Sequence, residues 1–455
     1  MSANDDLQEL AGRVVALVAD VGARTAPDAE VEANVLVTRT RHGLTRFANS
    51  FVHQHVTEDT RTVRLHVAVD GRTSVASTSA LDEESLADLV EATVTSATLQ
   101  PVDPHWPGAT PSQPLVLDDH VDTDTVTASP EHRARLVKGF VDAGPGLSAA
   151  GYVDSETTDA AFASTAGQRA AGSSTRATVD GIHQTATSAG SGHQTAIGLG
   201  SIDGARAGAL AADRARRSQE FADLEPGALE VVLAPEAVAT LLVFLGVYGF
   251  NAKAHLEGSS FVELGEQQLD PAITVANDPD DPRAIGLPFD AEGTPRRAYH
   301  LVEDGVCRSF AHDRRTAARA GTESTGDAIP GGASIGAVPT TMSLRPGAAS
   351  QQDLIAGVEH GLLISQFHYC RVLDPKSLVV TGLTRNGTFL IEDGQATKAV
   401  GNLRFTQSFI QALAPGNVLG VGDDDRYAAG EFGPGMVICP SLRLAAWHFT
   451  GGAAG

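Results

Sequence analysis

Residues 378–394 read Leu378-Val379-Val380-Thr381-Gly382-Leu383-Thr384-Arg385-Asn386-Gly387-Thr388-Phe389-Leu390-Ile391-Glu392-Asp393-Gly394. The runs 378–383 and 389–391 flank Asn386-Gly387, and Asp393-Gly394 precedes a further strand reaching Arg404 and Phe405. Asn-Gly and Asp-Gly tolerate the positive φ of a tight turn, so the spacing predicts successive antiparallel hairpins. The pattern recurs upstream, where 299–302 and 306–310 flank Asp304-Gly305, and downstream, where Leu442 and Leu444 alternate as a closing strand. Ahead of this meander, Pro226-Gly227 marks a boundary, followed by a strand over 229–233 and an apolar helix over 236–245. The last half of the chain therefore reads as a large antiparallel, barrel-like domain with one apolar helix.

Working outward to the N-terminus, Val63, Leu65, Val67 and Val69 alternate with polar residues up to Asp70-Gly71, another hairpin signal, after Val35-Leu36-Val37 has opened an earlier strand. Leu86, Leu89, Val90 and Val94 recur at helical spacing, and 101–114, with five prolines, reads as a linker. Ser129-Pro130-Glu131 starts a helix, with serine as N-cap and proline at the first helical position. The Ala, Ser, Thr and Gly of 151–204 suit a sheet of small residues, and 206–217 reads as a helix. The expected class is α+β, with an N-terminal α+β segment at 1–105, a central helix-and-sheet segment at 106–225 and a C-terminal domain at 226–455.

The 56 acidic side chains exceed the 33 basic ones, for a net charge of −23, and this argues against the basic footprint that nucleic acid or an anionic membrane requires. Cys307, Cys370 and Cys439 are few, scattered and odd in number, so no disulfide framework is implied and a reducing compartment fits. Met1 to Asp6 lacks a basic n-region, and Leu7, Leu10, Val14, Leu17, Val18 and Val21 mark an amphipathic helix rather than a signal peptide. No apolar run approaches the roughly 18 residues of a spanning helix. The expected location is the cytoplasm, with neither nucleic acid nor membrane as partner.

Several strings carry the outline of a site. Gly332-Ala333-Ser334-Ile335-Gly336 fits G-x-S-x-G, but no strand leads into it as a nucleophile elbow requires. Gly198-Leu199-Gly200 with Gly204 misses the dinucleotide spacing, and His255-Leu256-Glu257 lacks the C-x-x-C pair of a zinc deaminase. In Phe367-His368-Tyr369-Cys370-Arg371, strand alternation would put His368 and Cys370 on one face, two ligands without a third.

Other stretches carry a resemblance: Leu233-Ala234-Pro235-Glu236-Ala237-Val238-Ala239, Gly258-Ser259-Ser260-Phe261, Pro288-Phe289-Asp290-Ala291-Glu292-Gly293-Thr294-Pro295, Ser324-Thr325-Gly326, Thr381 to Gly387, and near the N-terminus Leu44 to Ser50. In order and spacing, from about residue 30 to 450, they resemble the TldD/PmbA metallopeptidase family, and its TldE (PmbA) branch most. The resemblance implies a two-subunit peptidase whose TldD-type chain holds zinc through an H-E-x-x-x-H helix and a distant cysteine. Here Pro235 and Thr240 stand where the two histidines would be, Glu236 matches the general base, and Cys439 lies directly against the closing Pro440-Ser441-Leu442 instead of well before it.

The implied function is that of a non-catalytic subunit, with no cofactor on this chain and zinc on a TldD-type partner, completing an enclosed chamber for peptide or amide substrates. No catalytic residue and no metal ligand is expected here. Glu236 reads as an ordinary polar residue beside the helix dipole, or as an interface contact. His368, Tyr369, Arg371, Arg385 and Asn386 are the candidates for substrate or interface contacts. The alternatives are a stand-alone hydrolase using Ser334 or a Cys370–His368 pair, and a binding or scaffold homodimer.

Overall fold

A computed structural model describes residues 3–431 and 433–452, with 433–436 described by backbone alone; Met1 and Ser2 of the N-terminal reading lie outside the described residues. The elements used below are α1 (Ala3–Thr25), β1 (Val31–Ala48), β2 (Phe51–Val69), β3 (Arg72–Thr78), α2 (Glu83–Thr98), α3 (Pro130–Asp142), β4 (Ser148–Ser164), β5 (Arg169–Gln184), β6 (Ala189–Ala196) and α4 (Gly204–Arg217). After these come β7 (Gly227–Leu233), α5 (Pro235–Phe244), β8 (Val275–Asn277), β9 (Tyr299–Glu303), β10 (Val306–Cys307), β11 (Met342–Leu344), β12 (His360–Asp374), β13 (Val379–Glu392), β14 (Gln395–Val400), β15 (Leu403–Ser408), β16 (Arg426–Gly430), β17 (Gly433–Cys439) and β18 (Leu442–Gly452).

The first six strands form one antiparallel sheet ordered β3-β2-β1-β4-β5-β6, so the segments at 1–105 and 106–225 share a sheet through the pairing of β1 with β4. Strand alternation sorts its two faces. Val35 and Val37 pack with Val14, Val18, Leu86 and Val90 of α1 and α2, whereas Leu36 between them packs with Phe162 and Phe289 on the other side. Farther along, α3 and α4 cover Val153 and Val179 with Val137, Phe140 and Ala207. Ser129 caps α3 through its hydroxyl, as the Ser-Pro-Glu start predicts.

Beyond Gly227 the fold is α+β with two further sheets. One is ordered β10-β9-β8-β11-β17-β16; in the other, β12-β7-β18-β15-β13 closes into a barrel because β13 pairs back onto β12. Every residue of α5 is buried, as an apolar helix between two sheets must be. Asp304-Gly305 and Asp393-Gly394 do make two-residue hairpins, Glu303 facing Val306 and Glu392 facing Gln395, although the strand after Gly305 stops at Cys307. Asn386-Gly387 does not. There β13 runs on unbroken, Asn386 and Gly387 at φ 56° and 124° opposing Ser365 alone as a bulge, because positive φ serves a bulge as well as a turn. Among the described residues no helix is long and apolar enough to cross a membrane.

The loop 288–295 ties the two halves together. Thr110 Oγ1 donates to the Glu292 carbonyl at 2.7 Å, Gln168 Nε2 donates to that of Gly293 at 2.8 Å, and Arg315 grips Asp103 at 2.6 and 3.0 Å. Two carboxyls sit in this seam. Burial pushes Asp290 up to about 7, while burial and the neighbouring Asp290 push Glu292 up to about 8. Asp290 accepts three backbone N–H groups, so the proton of the pair settles on Glu292. A raised pKa contributes stability that is complete below the ordinary carboxylate value and lost as pH climbs through about 8. Thermal stability is therefore expected to fall between about pH 5 and 8, and Glu292→Gln to flatten that slope; an unchanged slope in the variant would exclude Glu292 as its source.

Candidate functional site

The chain enters α5 from β7 through Ala234, with Pro235 at the first helical position. Glu236, read from the sequence as a polar residue beside the helix dipole or as an interface contact, lies in the first turn and is only 4% exposed. Arg426 Nη2, at the start of β16, donates to its Oε1 at 2.9 Å, and Arg214 Nη2, from α4, stands 3.8 Å from Oε2. Burial alone would raise the Glu236 pKa; Arg426 and Arg214 overcome it and hold the group at about 2, so it is an anion clamped between two cations. The clamp is braced in turn. Arg214 Nη1 donates to the Ser191 carbonyl at 2.9 Å, Arg426 lies 3.7 Å from Asp424, and Asp424 accepts from the Ser441 backbone and hydroxyl, both at 2.8 Å.

The residues at this turn do not fit a zinc ion. Proline offers no side-chain donor at 235, and the Thr240 hydroxyl is turned back onto the Glu236 carbonyl at 3.3 Å. Cys439 does reach the turn, but its Sγ is spent on the Pro235 carbonyl, to which it donates at 3.3 Å. The remaining ligand, the Glu236 carboxylate, is already shared by two guanidiniums. No step of chemistry on this chain is derived through a metal.

One glycine lets the helix that carries Arg214 approach, and a second lies beneath the arginine. At Gly192 on β6 a Cβ would lie 1.9 Å from the Ala207 carbonyl oxygen, so α4 rests directly on the strand backbone. At the β13 bulge a Cβ on Gly387 would meet Ser365 Oγ at 2.7 Å and Arg214 Cγ at 3.5 Å. The tight contact there is with Ser365, and the arginine stem lies at ordinary contact distance above it. Between α4, β6 and residues 423–427 opens a cleft of ≈ 680 Å³, with Arg214, Arg426, His193, Arg206 and Asp423 in its walls. Its size is that of a small-ligand site, and its lining is mixed in charge.

The other sequence candidates gather on β12 and β13. His368 faces Leu383, Gln366 faces Arg385, and the Arg371 guanidinium lies 4.4 Å from the centre of the Tyr369 ring. Burial, Arg385 and Arg371 lower the His368 pKa, so its imidazole is neutral. Alternation fails here: Tyr369 takes φ 55° in a register shift between His368 and Arg371, leaving its ring 61% exposed while Cys370 is buried. His368 and Cys370 therefore form no ligand pair, and among the described residues no group of three metal-binding side chains occurs. Ser334 sits in a turn with no strand before it, and the His255 ring lies 4.3 Å from that of Phe310. Sequence reading missed Arg214, Arg426 and Asp424, and the Gly422-Asp423-Asp424-Asp425-Arg426 run was the signal that could have pointed to two of them.

The site is thus a buried carboxylate neutralised by two arginines, on a helix packed between a closed barrel and a second sheet. Residues 226–451 match the PmbA/TldA metallopeptidase C-terminal domain, and the chain belongs to the TldD/PmbA family. It is 28% identical over 213 residues to a metalloprotease of Methanothermobacter thermautotrophicus (46% of this chain, 45% of that protein). To a metalloprotease of Methanocaldococcus jannaschii it is 25% identical over 207 residues (45% of this chain, 46% of that protein). It thus spans about half the length of the curated relatives it matches. The solved structure of TldE from Thermococcus kodakarensis superposes with a TM-score of 0.86 at 17% identity, covering 97% of this chain and 100% of that one, a likeness of fold.

Proposed function

We propose that this chain is the metal-free subunit of a heteromeric TldD-type zinc metallopeptidase of the cytoplasm, completing the chamber of a zinc-bearing partner and helping to hold an extended peptide or amide substrate. The observation that carries this reading is the state of Glu236. A general base must accept a proton from a metal-bound water, and a carboxylate held at about 2 by Arg426 and Arg214 lacks the basicity for it. Zinc on the partner would supply the activated water.

This chain's own work is binding. Arg371 and Arg385 offer forked donors for a peptide carboxylate or carbonyl, Tyr369 an exposed ring, and neutral His368 a donor or acceptor beside them. A stand-alone cysteine hydrolase finds no support, since burial, followed by Glu431, drives the Cys370 thiol far above its ordinary range.

The test is zinc content and peptidase activity of the purified chain, alone and after co-expression with a TldD-type chain. The lone chain is expected metal-free and inert, and the complex active with about one zinc per pair, the single-ion arrangement of such sites. Stoichiometric zinc or unaided hydrolysis on the lone chain would overturn the proposal.

A further inference from the structure

The first sheet has two unlike edges. Strand β6 packs against the C-terminal domain, whereas β3 covers β2 only from Val63 to Val69. From Phe51 to Thr62, every second residue of β2 therefore turns its N–H and C=O outward with no strand beside it among the described residues, and all these positions are exposed or half-buried. After a bulge at His53 the register with β1 is unbroken from Gln54 to Thr62. This stretch, Gln54-His55-Val56-Thr57-Glu58-Asp59-Thr60-Arg61-Thr62, has no proline and no lysine, two common means of blunting an edge, and it is rich in β-branched residues.

We propose that this edge pairs antiparallel with the same edge of a second copy of the chain, about a two-fold axis through Thr57. Such a pairing is isologous, so each contact occurs twice. Centred on Thr57, it sets His55 opposite Asp59 of the other copy at both ends, and Thr57 against itself. Charges already alternate across this face. Arg39 of β1 binds Asp59 in a fork, with Nε to Oδ1 at 2.9 Å, and an imidazole N–H from the second copy adds a further donor to that carboxylate. His55 Nδ1 is engaged by Thr45 Oγ1 at 2.9 Å, leaving Nε2 free to donate. Axes through Glu58 or Asp59 would oppose like carboxylates, and one through Thr60 runs into β3. The Arg214–Glu236 cleft lies beside β6, at the opposite edge of the sheet.

Sedimentation velocity on the intact chain tests it. The wild type is expected at twice the monomer mass, and Thr57→Lys and Thr57→Glu, each placing like charges on the axis, as folded monomers at least about tenfold weaker in association. Mixed together, the two variants are expected to dimerise again through the Lys–Glu pair. A monomeric wild type, variants that still dimerise, or a mixture that fails to reassociate would each overturn the proposal. Circular dichroism of the separate variants establishes that they are folded.

Discussion

Glu236→Ala is expected to destabilise the chain by about 3–5 kcal/mol, because it leaves two guanidiniums, one of them almost wholly buried, facing each other without their anion. The Arg214 side chain is 9% exposed and its nearest carboxylate is Glu236, so it cannot recover the lost partner by swinging into water. The midpoint of chemical denaturation measures the loss, and a change within about 0.5 kcal/mol, typical of surface substitutions, would refute the clamp. Replacing Arg214, Glu236 and Arg426 together by apolar residues of similar volume should restore most of the stability, since the cost lies in the uncompensated charge. The pH dependence has the opposite sign to that of Glu292. A lowered pKa contributes stability that is present above the ordinary carboxylate value and disappears as pH falls towards about 2, so acid weakens the clamp and alkali the seam.

Gly192→Val is expected to cost as much, by a steric route. A side chain there collides with helix backbone and not with the pliable end of a side chain, so α4 must lift from β6 as a unit. Lifting α4 withdraws Arg214 from Glu236, and the variant should show both a loss of several kcal/mol and faster amide exchange along 204–217. Gly200→Ala is the matched control, since a Cβ there meets nothing within 4 Å. If Gly192→Val leaves the exchange of α4 unchanged, the close approach is not what positions the arginine.

What could be read from the sequence followed local chemistry. The Asp-Gly hairpins, the Ser129 cap and the buried helix after Pro235 are each fixed by residues within a turn of one another, and all are present. The same rule misread Asn386-Gly387, because positive φ does not say whether the chain reverses or only bulges; that depends on Ser365, which stands opposite. Alternation misplaced Cys370 for a related reason, a left-handed Tyr369 that nothing in the residue type announces. The clamp was the least legible feature. Its three members come from α4, α5 and β16, elements far apart in the chain, and no local pattern at Pro235 or Thr240 points to the two arginines.

The pairing of β1 with β4 sets Asn34 against Ser164, and this separation has a consequence during synthesis. The β1–β2–β3 hairpins are complete once Thr78 is made, but the inner edge of β1 has no neighbour until 148–164 leave the ribosome. At 5–20 residues per second, the chain from Ala48 to Ser148 takes roughly 5–20 s. Throughout that interval the nascent protein carries a long strand, open along the side that will become the middle of its sheet. A holdase binding extended segments would find its best target there, and substitutions that slow translation between α2 and β4 should lower soluble yield without altering the stability of the finished fold.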